Sequence, residues 1–129
     1  MKKQKKFILI SMLALFLSAS QISMAAELDK NMQTLAKNMS ILKSSSDKTS
    51  LLNALAMMDK AVDDSMEVLP WNIDSDDKVA VKNYKNDLKK LKDEINVAKE
   101  KIESGNIESL RDSLEKMNSI KLDSHRKFR

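Results

Sequence analysis

The sequence predicts an all-α protein, an antiparallel up-down-up-down four-helix bundle. Three observations predict it. Four stretches place apolar residues at alternating steps of three and four, the spacing that lines one face of a helix. Turn-formers are almost absent, with one glycine, Gly105, and one proline, Pro70, in 129 residues. The connections between the stretches are short and polar, and short connections make successive helices antiparallel neighbours.

The first residues stand outside this pattern. Lys2, Lys3, Lys5 and Lys6 precede an apolar-rich run, Phe7 to Leu17, in which Ser11 is the only polar residue. Ser23 and Ala25 then supply small residues at the −3 and −1 positions of a cleavage site. This is the layout of a secretory signal peptide. The run is shorter than the roughly 20 apolar residues that span a bilayer. Residues 1–25 therefore read as a leader and 26–129 as one helical domain, exported to the periplasm with no stable membrane association after cleavage. The leader holds four of the 23 Lys and Arg and none of the 19 Asp and Glu, so residues 26–129 carry 19 of each sign. The basic balance belongs to the leader, and nucleic acid is not an expected partner. With no cysteine, no disulfide supports the fold, although export would permit one.

The first helix is expected from about Glu27 to Lys43, where Leu28, Met32, Leu35, Met39 and Leu42 form one stripe. Ser44 to Asp47 break it, and Ser46 or Asp47 can cap the second helix by accepting from a free first-turn N–H. That helix is expected from about Lys48 to Val68, with Leu51, Leu55, Met58, Val62 and Met66 inward, and Pro70 ends it. Residues 70–75 form the longest connection, with Asp74 or Ser75 as the next cap. The third stripe, Val81, Tyr84, Leu88, Leu91, Ile95, Ala98 and Ile102, is the most regular. Gly105 stops that helix as a left-handed residue just past its end, and Asn106 caps the fourth helix, expected from about Ile107 to Lys127.

The fourth stripe is apolar through Ile107, Leu110, Leu114 and Met117, then turns polar at Lys121, Ser124 and His125 before Phe128. A polar group buried without a partner costs about 1–3 kcal/mol. Either this end frays into water or something polar or metallic occupies it. His125 is the only histidine of the chain. In a bundle of this topology the first helix starts, and the fourth ends, at the same end. Met32 and His125 then fall at nearly the same height on adjacent antiparallel helices whose axes lie about 8–10 Å apart. A thioether and an imidazole are both neutral, and together they suit a haem iron held at raised potential with no open coordination position. That arrangement favours outer-sphere electron transfer over oxygen chemistry. Taken singly, a methionine in a stripe is ordinary core, and a histidine near a helix C-terminus ordinarily answers the helix dipole.

The two ends, Ala26-Glu-Leu-Asp-Lys-Asn-Met32-Gln-Thr-Leu35 and Ser124-His125-Arg-Lys-Phe-Arg129, together with Glu103-Ser-Gly105-Asn, resemble the cytochrome b562 family of soluble periplasmic four-helix haem proteins. The resemblance implies one non-covalent haem b per chain, with Met32 and His125 as axial ligands. It implies haem walls that include Leu28, Leu35, Met58, Pro70, Trp71, Tyr84 and Leu88, with Lys121 near the haem edge. Covalent members carry C-x-x-C-H, and Lys121 and Ser124 stand at those cysteine positions, which excludes thioether attachment. Leu88 stands where an aromatic is expected, Trp71 where a second proline is expected, and Lys121 where an arginine is expected.

The leading expectation is a monomeric periplasmic electron carrier, not an enzyme, whose redox partner proteins the sequence does not name. Two other readings stay open on the residues. One is a cofactor-free helical binding protein, chaperone- or adaptor-like. The other is a copper-binding bundle using methionines, nine in the chain with Met1, Met12 and Met24 in the leader, because thioethers suit Cu(I). A di-iron site needs Glu-x-x-His, and Leu122 stands three residues before His125. Zincin, phosphate-loop and nucleophile motifs are lacking.

Overall fold

The computed structural model describes residues 26–127, and all but the side chains of His125 and Lys127 within that range. The leader read in residues 1–25, and Phe128 of the fourth stripe, lie outside the described residues. The described chain is four helices with no strand: α1 over residues 26–44, α2 over Lys48–Met66, α3 over Lys78–Glu103 and α4 over Leu110–Lys127. The chain is a four-helix bundle, as the stripes require.

The core is the stripes themselves. Leu42 of α1, Leu51, Leu55, Met58 and Val62 of α2, Tyr84, Leu91, Ile95 and Ile102 of α3, and Leu110, Leu114 and Met117 of α4 are buried in one cluster. Leu35, Met39 and Ile41 of α1 pack against it only partly buried.

Caps decide where each helix begins. Asp47 Oδ2 accepts from Ser50 N at 3.1 Å, so Asp47 starts α2. The N-cap of α3 is Asp77, whose Oδ1 accepts from Ala80 N at 3.1 Å. This corrects the expectation of Asp74 or Ser75. Asp74 is spent on the preceding turn, where its Oδ1 accepts from Asp76 N and its carbonyl from Asp77 N. The helix cannot begin until that turn has closed. Similarly α2 stops at Met66 rather than Val68. Glu67 N–H bonds back to Asp64 O at 3.2 Å in a tightened last turn, and the residue before Pro70 is held out of helical geometry. The connection is therefore residues 67–77, longer than expected.

Gly105 closes α3 with φ +79°. Asn106 N donates to Lys101 O at 2.8 Å and Gly105 N to Ile102 O at 3.1 Å, the paired bonds of a Schellman ending. A Cβ added at Gly105 would meet nothing within 4 Å, so glycine is there for its backbone angle. The fourth helix starts at Leu110, not Ile107. Asn106 does cap, accepting from Ser109 N at 3.4 Å, but it caps an intervening turn closed by Leu110 N to Ile107 O at 3.1 Å. Ile107 leaves the stripe and is 41% exposed.

Candidate functional site

The stripes do not close everywhere. A cavity of about 430 Å³ lies where α1 and α4 face each other over α2 and α3, within the size range of small-molecule sites. Helical spacing puts Met32, Leu35 and Met39 of α1 on it, and Met117 and Lys121 of α4 opposite, four residues and one turn apart. Met58 of α2 and Leu91 of α3 form its buried floor. The mouth is wetter: Met32 is 37% exposed, and Asp29, Gln33 and Lys121 are exposed beside it. The lining is thus thioether and aliphatic within, with charge of both signs at the rim.

Of the residues named from sequence, Met32, Leu35, Met58 and Lys121 line this cavity. The backbone of His125 lies in the last turns of α4, four residues beyond Lys121. That is one turn, or about 6 Å along the axis, from a residue that lines the cavity. Leu28 and Pro70 are half-buried outside the lining. Trp71 stands on the 67–77 connection at 95% exposure, away from the cavity. Tyr84 and Leu88 are buried in the core on α3. Tyr84 ties α3 to α2, its hydroxyl donating to Ser65 O at 2.8 Å. Burial pushes the phenol up to about 12.

Met39, Leu91 and Met117 also line the cavity and were legible only as core, since they continue the same stripes as their neighbours. Four of the methionines, Met32, Met39, Met58 and Met117, converge there from three helices. Sequence reasoning also missed Asp87. It is buried on α3 and accepts from Ser124 Oγ at 3.1 Å. A signal was present, because position 87 is three beyond Tyr84 and four before Leu91 and so lies in phase with the stripe. The polar interruption of the fourth stripe is thereby answered in part: Ser124 has a partner across the helix interface.

Among the described residues no group of three His, Cys, Asp or Glu side chains is placed to hold a metal ion. No described helix is long and apolar enough to cross a membrane. Residues 27–129 match the sequence pattern of the family described as cytochrome b562.

The chain belongs to the cytochrome b562 family.

It is also similar to a probable soluble cytochrome b562 of Yersinia pestis. The two are 27% identical over 107 residues, 81% of this chain and 84% of that protein. Membership implies a b-type haem and the role of an electron carrier rather than an enzyme. The donor set at the cavity fits such a group. Its interior offers apolar walls for a macrocycle and a thioether for a soft iron. Its rim offers Lys121 to haem carboxylates.

Proposed function

We propose that this protein is an exported electron carrier that seats one non-covalent haem b in the α1–α4 cavity, with Met32 and His125 as its axial ligands. One observation carries the reading: the apolar opening between α1 and α4 is lined by Met32, and His125 follows one turn beyond its Lys121 edge.

Bound haem supplies a reversible one-electron Fe(III)/Fe(II) couple. The protein's residues set its conditions. The Met32 thioether and a neutral imidazole add no charge to the iron, and sulfur favours the ferrous form. Leu35, Met39, Met58, Leu91 and Met117 exclude water and lower the local dielectric, which further penalises the more highly charged form. The exposed Lys121 at the rim would offer its ammonium to the haem carboxylates.

Titrating residues 26–129 with haemin, then adding dithionite, tests this. One equivalent should give a shifted Soret band and sharp reduced α and β bands. Met32→Ala and His125→Ala should each lose the six-coordinate low-spin spectrum while keeping helical circular dichroism. A variant that retained that spectrum would overturn its ligand assignment.

A second reading comes from the four methionines at the cavity. Thioethers also hold Cu(I), and the lining gathers more of them than haem ligation uses. It is tested by offering Cu(I) alone: tight stoichiometric binding that excludes haemin would favour copper, and haemin uptake unaffected by Cu(I) would favour the carrier.

A further inference from the structure

A buried carboxylate lies beside the helical turn that carries His125. Asp87 is 6% exposed on α3, in phase with Tyr84 and Leu91. Its Oδ2 accepts from Ser124 Oγ at 3.1 Å across to α4, and the exposed Lys90 ammonium lies 4.0 Å from its Oδ1. Ser124 immediately precedes His125. An acid taken out of water at a helix interface is costly unless hydrogen-bonded, and an apolar residue would pack there without that cost. A hydrogen bond to a carboxylate is also stronger than one between neutral groups.

The end of α4 has few other attachments among its described side chains. Lys121, Leu122, Asp123 and Arg126 are exposed, and Ile120 and Ser124 are half-buried. Helix ends fray unless side-chain contacts hold them. An axial ligand there would be displaced with each opening.

We propose that Asp87 is a positioning residue for the haem site. Through Ser124 it pins the last turns of α4 against α3, and so holds His125 in place before and after the cofactor binds. The consequence for haem rests on the haem-carrier reading, whereas the anchor itself does not.

Four variants separate acceptor from charge. Asp87→Ala removes the acceptor. Asp87→Asn keeps an acceptor oxygen without the charge. Ser124→Ala removes the donor, and Ser124→Thr keeps it. In cofactor-free protein, amide exchange over residues 121–127 should speed about tenfold in Asp87→Ala and Ser124→Ala, the loss of one charge-assisted bond. It should stay near wild type in Ser124→Thr and fall between wild type and Asp87→Ala in Asp87→Asn, which keeps the acceptor without the charge, and exchange in α2 should not move. In haemin-loaded protein, haem transfer to excess apomyoglobin should speed about tenfold in Asp87→Ala and Ser124→Ala. Ser124→Ala carries the test should Asp87→Ala fail to fold. Unchanged exchange over 121–127 in Ser124→Ala would overturn the anchor. Faster exchange with unchanged haem transfer would overturn the positioning role. If Asp87→Asn behaved like Asp87→Ala, charge rather than the hydrogen bond would be responsible and the proposal would fail. Should the wild-type protein take up no haemin, the carrier reading falls, while the exchange experiment still decides the anchor.

Discussion

Two helix pairs in this bundle are built differently. Between α2 and α3 the interface is closed. Val62 and Tyr84 are buried, Tyr84 reaches Ser65 O, and Lys92 bridges from α3 to Asp63 and to Asp59, 3.6 Å away, on α2. Between α1 and α4 there is a cavity of about 430 Å³, walled by methionines and open at Met32 and Lys121. Both pairs are made from stripes of the same period. Residue type alone does not separate them, since Leu35, Met58 and Leu91 also line the cavity; what differs is that the α1–α4 side leaves space and exposes Met32 and Lys121. Both pairs contribute to the core, but only the α1–α4 side keeps an opening.

The sharpest way to break this contrast is to truncate one residue on each side. Leu55→Ala, in the closed core, should destabilise cofactor-free protein by about 2–5 kcal/mol in urea unfolding. Met32→Ala should cost less than about 0.5 kcal/mol there, as a partly exposed side chain away from close packing, yet abolish low-spin haem. Comparable losses in the cofactor-free protein would mean the α1–α4 side is ordinary core.

Tyr84→Phe sharpens the closed side and should cost about 0.5–1.5 kcal/mol for the bond to Ser65. Tyr84 also makes stability depend on alkali. Its folded pKa, pushed up to about 12, exceeds the ordinary value near 10. The folded state therefore holds a proton that the unfolded state releases. This contribution is fully present below pH 10 and is lost as pH rises toward 12. Urea midpoints should fall over that window in wild type and fall less in Tyr84→Phe.

Gly105→Ala should cost about 1–2 kcal/mol, because the strain of positive φ is not offset by any new contact. Gly105→Asn should cost less. At the weak end, Lys92→Ala should change stability by about 0–1 kcal/mol. Lys92 and its partners Asp59 and Asp63 are all about a third exposed or more, and solvent discounts the hydrogen bond to Asp63 that raises the lysine's pKa. Raising salt should erase most of that difference in urea midpoints.

The fold was legible because a bundle needs little more than period, breaks and caps. The stripe of α3, the stop at Gly105 and the cap at Asp47 are local signals, and each stands where its chemistry put it. The misplaced starts of α3 and α4 have one cause. Asp74 to Asp77 and Asn106 to Ser109 offer several side chains able to cap, and only tertiary geometry chooses between a turn and a helix. The site was half legible. Topology put Met32 level with His125, and the family resemblance implied Leu35, Met58 and Lys121, whereas Met39, Leu91 and Met117 look like any core residue, since a residue beside a cavity and one beside a neighbour share the same stripe. The bond between Asp87 and Ser124 spans 37 positions, and no local pattern announces it.

The most direct test of the contrast between the two pairs is a difference map of amide exchange for residues 26–129 with and without one equivalent of haemin. Slowed exchange largest in α1 and the second half of α4, with smaller changes in α2 and α3 centred on Met58 and Leu91 that floor the cavity, is the expected result. Uniform protection across all four helices, or protection confined to α2 and α3, would contradict it.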